Sequence, residues 1–296
     1  MINLTILGTS ASAPTINRGL SSASIENNGS IYLFDCGEGT QRQMLKFKIN
    51  ISKIKCIFIT HTHADHVLGI AGLVRTFELY GRDKPLNIYV PSKYTKIVHR
   101  LINLDGFNPS YKINVIPVEK GVIYKDKYIS ITVFPLIHSI QTFGYVFKEN
   151  RKRNFIKSKC AKLGIKGPMF KDLEKKGFLN LNGKTIDIKE VSKITEGKKI
   201  VYATDTYKSN ETIKAAKNSD IIIHEATYTD KYIDLAIERG HSTASCAAKV
   251  AKESKSKLLI LFHFSTRYKN LSVHSKEAKK IFKNTKIVKD GYKINL

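Results

Sequence analysis

The sequence predicts a layered α/β fold. Three observations carry that expectation. Apolar runs of strand length alternate with amphipathic segments through most of the chain, metal-ligating residue types stand where several of those runs end, and one lysine-rich stretch interrupts the alternation. With 296 residues, 42% of them hydrophobic, the chain has ample material for a core and needs no covalent staples. Cys36, Cys56, Cys160 and Cys246 lie far apart with no CxxC pair, so neither a disulfide framework nor a cysteine zinc knuckle is expected, and a reducing cytoplasm fits. Met1 leads directly into the alternating run Ile2-Asn3-Leu4-Thr5-Ile6-Leu7-Gly8 without the charged and apolar regions of a secretory signal. No stretch approaches the roughly eighteen apolar residues of a membrane span, so none is expected.

Residues 2–7 and 30–35 read as strands around a loop region rich in Ser, Ala and Asn, with a shorter strand at 22–26. A helix over 38–47 follows the turn Cys36-Gly37. The apolar run 54–59 is a strand, and 67–80 has the apolar spacing of a helix. Strand 86–90, helix 92–104 and strands 112–117 and 129–136 come next, and 143–147 can form one more. From 148 to 197 the periodicity fades. Lysines, Gly164, Gly167-Pro168, Gly177 and Gly183 separate apolar pieces too short to bury much, which reads as an inserted arm. Alternation then resumes with strand 200–204, helix 210–217, strand 220–223, helix 230–239, a helix capped by Ser242 or Thr243 and running to 252, strand 257–262, helix 273–282 and a short terminal strand.

The turn between strand 54–59 and its helix reads Thr60-His61-Thr62-His63-Ala64-Asp65-His66. Side chains two apart in an extended run share a side, so His61 and His63 can converge on one ion, while Asp65 and His66, turning into the helix, can reach a second. Such a set favours zinc or a similar first-row metal. Gathering it at the end of a buried strand is costly unless something binds there. His138, Asp205 and His263 each follow an apolar run at the C-terminal end of a strand, where open α/β sheets build their sites. His138 and His263 can complete three ligands for each ion, and Asp205, with two oxygens, can bridge both.

A net charge of +25 asks for an anionic partner such as a nucleic acid. Lysine outnumbers arginine 41 to 9, a compositional bias that inflates charge everywhere, so distribution says more than the total. Residues 148–199 carry 16 basic against 6 acidic side chains, which concentrates the excess in the arm.

The ligand set His61-x-His63-x-Asp65-His66, His138, Asp205 and His263 resembles the metallo-β-lactamase fold, an αββα sandwich of two mixed sheets flanked by helices with a dinuclear zinc site. Further segments resemble the short form of ribonuclease Z, the endonuclease that matures tRNA 3′ ends: Leu7-Gly8-Thr9-Ser10 with Ala13-Pro14-Thr15, Phe34-Asp35-Cys36-Gly37-Glu38-Gly39-Thr40-Gln41, His224-Glu225-Ala226-Thr227, Gly240-His241-Ser242-Thr243 and His263-Phe264-Ser265-Thr266-Arg267-Tyr268. The resemblance covers nearly the whole chain. It implies one zinc on His61, His63, His138 and Asp205, a second on Asp65, His66, Asp205 and His263, and a water between them that attacks phosphorus in line. Asp65 would orient or deprotonate that water and His241 would protonate the leaving 3′-oxygen, with Glu225 orienting His241 and Arg267 neutralising phosphate. The basic arm with Gly167-Pro168 would clasp the tRNA elbow, and the partner arrangement would be a homodimer. Two other expectations fit parts of the pattern: a hydrolase of the same fold acting on small phosphodiesters, sulfate esters or lactones, which would have no need of a basic arm, and a non-catalytic RNA-binding protein, which would have no need of seven ligands.

Overall fold

The computed structural model describes residues 2–296. The chain divides into two compact units, residues 2–148 with 199–296, and Glu149–Lys198. The larger unit is built on two seven-stranded mixed sheets. The first runs, in spatial order, Lys293–Asn295, Ile2–Gly8, Ser22–Asn27, Ser30–Phe34, Ile54–Phe58, Leu86–Pro91 and Ile113–Val118. The second runs Thr285–Ile287, Leu258–Phe262, Ile221–Glu225, Lys199–Ala203, Phe143–Glu149, Ile129–Pro135 and Gly121–Lys125.

Alternation along the strands sorts their side chains into layers. Ile6, Ile25, Phe34 and Phe58 of the first sheet share a core with Ile131, Tyr145, Tyr202 and Phe262 of the second. Ring centroids there lie 5.3 Å apart for Phe34 and Phe58 and 5.5 Å for Phe58 and Tyr145. The opposite face of the first sheet, Leu33, Ile57 and Ile88, packs under Met44, Ile70, Leu73, Phe77 and Val98 of the helices Thr40–Lys46, Gly69–Leu79 and Thr95–Ile102. Val201, Ile222 and Leu261 of the second sheet pack under Ala216, Ala247, Val250 and Ala278 of Asn210–Ala216, Ala244–Glu253 and Ser272–Ile281. The result is the expected αββα sandwich, with helices outside both sheets.

The differences from the sequence expectation are local. Gly121–Lys125 is an additional strand whose half-exposed pattern and register shift against Ile129–Pro135 gave it no clean alternation. The helix expected over 67–80 is two pieces, Ala64–Val67 and Gly69–Leu79. The second can lie close to the Cys36-Gly37 turn because Gly69 lacks a Cβ, which would stand 2.2 Å from Gly37 O. Strand Ile221–Glu225 takes in His224 and Glu225. The chain end forms two strands, Thr285–Ile287 beside Leu258–Phe262 and Lys293–Asn295 beside Ile2–Gly8. Thr243, rather than Ser242, caps Ala244–Glu253 by accepting from Cys246 N–H. All four cysteines are free and buried.

The unit Glu149–Lys198 has a core of its own, which the faded periodicity of its sequence does not predict. Cys160, Ile165, Leu173, Ile186, Ile188 and Val191 bury one another. Its antiparallel ladders are Lys152–Phe155 with Ser192–Thr195 and the hairpin Phe178–Leu181 with Lys184–Asp187. Helices Lys157–Lys162, Met169–Lys176 and Ile188–Val191 complete it, the last opened by a capping box between Asp187 and Glu190. Elements this short show little periodicity in sequence. Gly167, at φ +51, leads into Pro168, which immediately precedes Met169–Lys176.

Candidate metal centre

Asp35 builds the local frame of the histidine turn. Its Oδ1 accepts from Thr60 N–H at 2.8 Å just beyond Ile54–Phe58, and its Oδ2 accepts from Tyr202 O–H at 3.1 Å across the sandwich. His63 is extended and stands just before Ala64–Val67, so the rings of His61 and His63 meet at 4.6 Å between centroids while Asp65 and His66 enter the helix.

Each of four imidazoles has one nitrogen already committed. His66 Nδ1–H donates to Asp35 Oδ2 at 2.9 Å and His138 Nδ1–H to Gly240 O at 3.1 Å. His61 Nδ1 lies 3.0 Å from Thr60 Oγ1, and His263 Nδ1 lies 2.9 Å from Thr227 Oγ1. Anchors of this kind set the tautomer and leave Nε2 as a lone-pair donor. The free nitrogens face one another. His61 Nε2 is 3.0 Å from His63 Nδ1, His138 Nε2 is 3.2 Å from the same atom, and His66 Nε2 is 3.3 Å from His263 Nε2. Lone pairs at such separations need a proton or a cation between them.

Asp205 stands between the two groups. Its Oδ1 is 3.2 Å from His66 Nε2 and 3.0 Å from His263 Nε2, while Oδ2 is 3.6 Å from His61 Nε2 and 3.7 Å from His138 Nε2. Asp65 Oδ2 lies 3.5 Å from both His66 Nε2 and His263 Nε2 and accepts from Ser12 N–H at 2.7 Å. Asp35, Asp205 and His263 all hold left-handed φ values, +55, +49 and +56. Non-glycine residues adopt that region at a cost, and they do so where a site requires the geometry.

Burial, reinforced by neighbouring imidazoles, lowers the pKa of His61, His63 and His138, which keeps their nitrogens unprotonated and available. Burial also opposes charge on His66, but Asp205, Asp65 and Asp35 outweigh it and hold that imidazolium above its ordinary range. The same carboxylate field would receive a divalent cation in place of the proton. The donor set therefore fits metal: His61, His63, His138 and Asp205 could hold one ion, and Asp65, His66 and His263, with Asp205, another.

His241 lies beside this centre, its ring centroid 4.9 Å from that of His138. Nδ1–H donates to Glu225 Oε1 at 2.8 Å. Burial disfavours the imidazolium, but the Glu225 carboxylate outweighs it, and the pKa is pushed up to about 9. Glu225 is itself held by Thr206 N–H at 2.7 Å, Thr227 N–H at 3.1 Å and Thr227 O–H at 2.6 Å. A cleft of about 340 Å³ opens over Asp65, Asp205 and His241, with Ser139 and Arg239 at its wall. Arg267 is not part of this wall. Its guanidinium lies 5.0 Å from the rings of both Tyr228 and Tyr232, and its Nε–H donates to Ser265 Oγ. Asp35, Thr227, Ser12 and Arg239 were not among the candidates from sequence. For Asp35 the signal was available, a carboxylate directly after an apolar strand.

Comparison with known proteins gives the family. A family model described as anti-Pycsar protein Apyc1 matches residues 2–158, and one described as a beta-lactamase superfamily domain matches 191–264. Ribonuclease Z of Methanothermobacter thermautotrophicus is 37% identical over 98% of this chain and 95% of its own length. The chain belongs to the ribonuclease Z family. Ribonuclease Z of Listeria monocytogenes is likewise 37% identical, over 98% of this chain and 97% of its own. The crystal structure of the short form of human tRNase Z superposes with a TM-score of 0.71 at 27% identity, covering 99% of this chain and 98% of that one. The fold is that of the metallo-β-lactamases, and the protein is an endoribonuclease, a phosphodiester hydrolase. Among the described residues no helix is long and apolar enough to cross a membrane.

Proposed function

We propose that this ribonuclease Z removes the 3′ trailer from precursor tRNA, using two zinc ions per chain and leaving a tRNA 3′-OH and a trailer 5′-phosphate. The observation that carries the reading is Asp205, whose two oxygens face two separate groups of imidazoles beside the His241–Glu225 couple. One zinc would be held by His61, His63, His138 and Asp205, the other by Asp65, His66, Asp205 and His263. Zinc held there would lower the pKa of a bound water from 15.7 to about 7 and neutralise charge on the phosphate. Asp65, with Oδ2 fixed by Ser12 N–H, would orient the attacking water and take its proton. His241, protonated and steadied by Glu225, gives a proton to the departing 3′-oxygen. Arg267, steadied between two tyrosine rings, meets a flanking phosphate. The enzyme works as a homodimer in the cytoplasm, and the basic unit around Gly167 and Pro168 grips the tRNA.

The direct test is incubation of the zinc-loaded protein with a precursor tRNA bearing a 3′ trailer, with the cut mapped and both ends identified. A single cut leaving 3′-OH and 5′-phosphate is expected; no cut, or the opposite ends, would sink the reading. Light scattering of the same preparation should give twice the chain mass.

The basic unit has its own test. Lys148 pairs with Lys199 across the antiparallel ladder of Phe143–Glu149 and Lys199–Ala203, and the inserted unit buries its own six-residue core. Replacing residues 151–195 by a short Gly/Ser linker should therefore close a hairpin and leave a folded, metal-loaded enzyme. Precursor binding should weaken by orders of magnitude, and the slope of log K against log salt should fall by about 0.7 to 0.9 for each phosphate that the shortened protein no longer neutralises. A small chromogenic phosphodiester should still be hydrolysed. Unchanged tRNA binding would reduce the lysines of this unit to compositional bias.

A further inference from the structure

Outside the metal centre, the second sheet carries a cross-strand pair of like charges. Lys148 of Phe143–Glu149 stands directly opposite Lys199 of Lys199–Ala203. Side chains directly opposite in a ladder share a face, and like charges there are destabilising. No carboxylate bridges this pair among the described residues; Lys199 Nζ instead donates to Lys217 O at 2.8 Å. Two further ammonium groups line the same cleft, Lys120 and Lys214, and these share one carboxylate, Glu211, at 2.9 and 3.3 Å. Four cations thus surround one anion, leaving a net charge of +3 on a cleft of about 420 Å³, within the size range of small-ligand sites.

The floor of the cleft is apolar, formed by Phe134, Val146 and Ala215. Phe134 can lie flat across the neighbouring strand because Gly144 has no Cβ; one built there would stand 2.3 Å from the ring. Lys199 is half-buried, and burial together with Lys148 pulls its pKa below the ordinary lysine value. A positive rim over an apolar floor matches a ligand with a phosphate at one end and a flat, weakly polar body at the other.

We infer that this cleft is a second site for a nucleotide phosphate, either a nucleotide of the RNA substrate or a free mononucleotide. The first source rests on the proposed function, since it makes the cleft a contact for precursor RNA away from the scissile bond. The second does not. Lys148 and Lys199 supply the charge that receives the phosphate, and its arrival relieves their mutual repulsion.

The experiment uses methyl-labelled holoenzyme titrated with AMP and, separately, with inorganic phosphate, following the methyl signals of Val146 and Ala215. These signals report on the cleft independently of anions bound at the metals. In the wild type they are expected to shift and saturate with AMP. In Lys148→Glu they should not shift, and the new carboxylate opposite Lys199 should hold or raise the melting temperature. Lys148→Gln serves if the charge reversal does not fold. Steady-state cleavage of precursor tRNA by the same variant separates the sources. A roughly tenfold rise in KM at constant kcat, with the salt slope of KM reduced by about one to two, assigns the cleft to the RNA. An AMP response with unchanged KM assigns it to a free nucleotide. No response of Val146 and Ala215 to either titrant, together with unchanged KM, overturns the proposal. If the wild type fails to cut precursor at all, the proposed function falls, and the methyl titration still decides whether the cleft takes a nucleotide.

Discussion

Asp205→Asn is expected to abolish phosphodiester cleavage, by on the order of a thousandfold or more, while precursor RNA still binds. Asn keeps the size of the side chain and tolerates the left-handed backbone that position 205 adopts at φ +49, so the strand end should not collapse. What disappears is the negative charge shared between His66 and His263 on one side and His61 and His138 on the other. An amide offers a single weak oxygen and presents N–H groups to one of the two clusters. Charge stabilisation by a bound cation is worth several kcal/mol, and each 1.36 kcal/mol is a factor of ten in rate. Elemental analysis of protein purified without chelator should give close to two metals per chain for the wild type and a clear deficit for the variant. His63→Ala should also be inactive, but its ring faces the His61 and His138 side, so it should empty one cluster and spare more of the other. Full metal content and near-normal cleavage in Asp205→Asn would mean that Asp205 is not the shared ligand.

The αββα layering was legible because both sheets are buried on two faces. Runs such as Ile221–Glu225 and Leu258–Phe262 are almost wholly buried and therefore read as continuous apolar segments with helical patterns between them. Where burial was partial the reading weakened. Gly121–Lys125 is an edge strand with no fully buried residue, and its residues gave neither an apolar run nor a clean alternation. The small unit was legible as an interruption but not as a folded body, because its core is assembled from single residues, one or two from each short element.

At the site, residues that end apolar strands were visible one by one, and the spacing in His61-x-His63-x-Asp65-His66 suggested two groups. Sequence could not supply the anchoring of each imidazole. Thr227 reaches His263 across 36 positions and Asp35 reaches His66 across 31, so those partners depend on which strands lie side by side. Ser12 contributes only its backbone N–H to Asp65, a role that residue type cannot reveal. Arg267 shows the opposite case. Its motif position suggests a phosphate contact, but not the two rings, Tyr228 and Tyr232, that lie 5.0 Å from its guanidinium outside the cleft wall.

His241→Ala should lower single-turnover cleavage by roughly a hundred- to ten-thousandfold, the range typical of removing a general acid, while metal content stays near that of the wild type. His241 comes within ligand distance of Asp205 and His263, so metal analysis is part of the test: a metal deficit would make it a ligand instead of an acid. The pH profile distinguishes the roles further. Burial works against the charged ring, but Glu225 raises its folded-state pKa to about 9, above the 6.5 of a free imidazole. A group raised in this way is protonated on the acid side, so its contribution to stability is complete below about pH 6.5 and is lost as pH rises through the folded value. Proton donation follows the same sign, and activity should fall on an alkaline limb at or below about pH 9, since cations at Asp205 and His263 oppose a second positive charge nearby. Glu225→Gln removes the carboxylate and should move that limb to lower pH. A substrate whose leaving oxygen needs no proton, such as a nitrophenyl phosphodiester, should lose far less to His241→Ala than precursor RNA does, because only a poor leaving group depends on the acid. Equal losses on both substrates would show that His241 supports the architecture of the centre and does not deliver the proton.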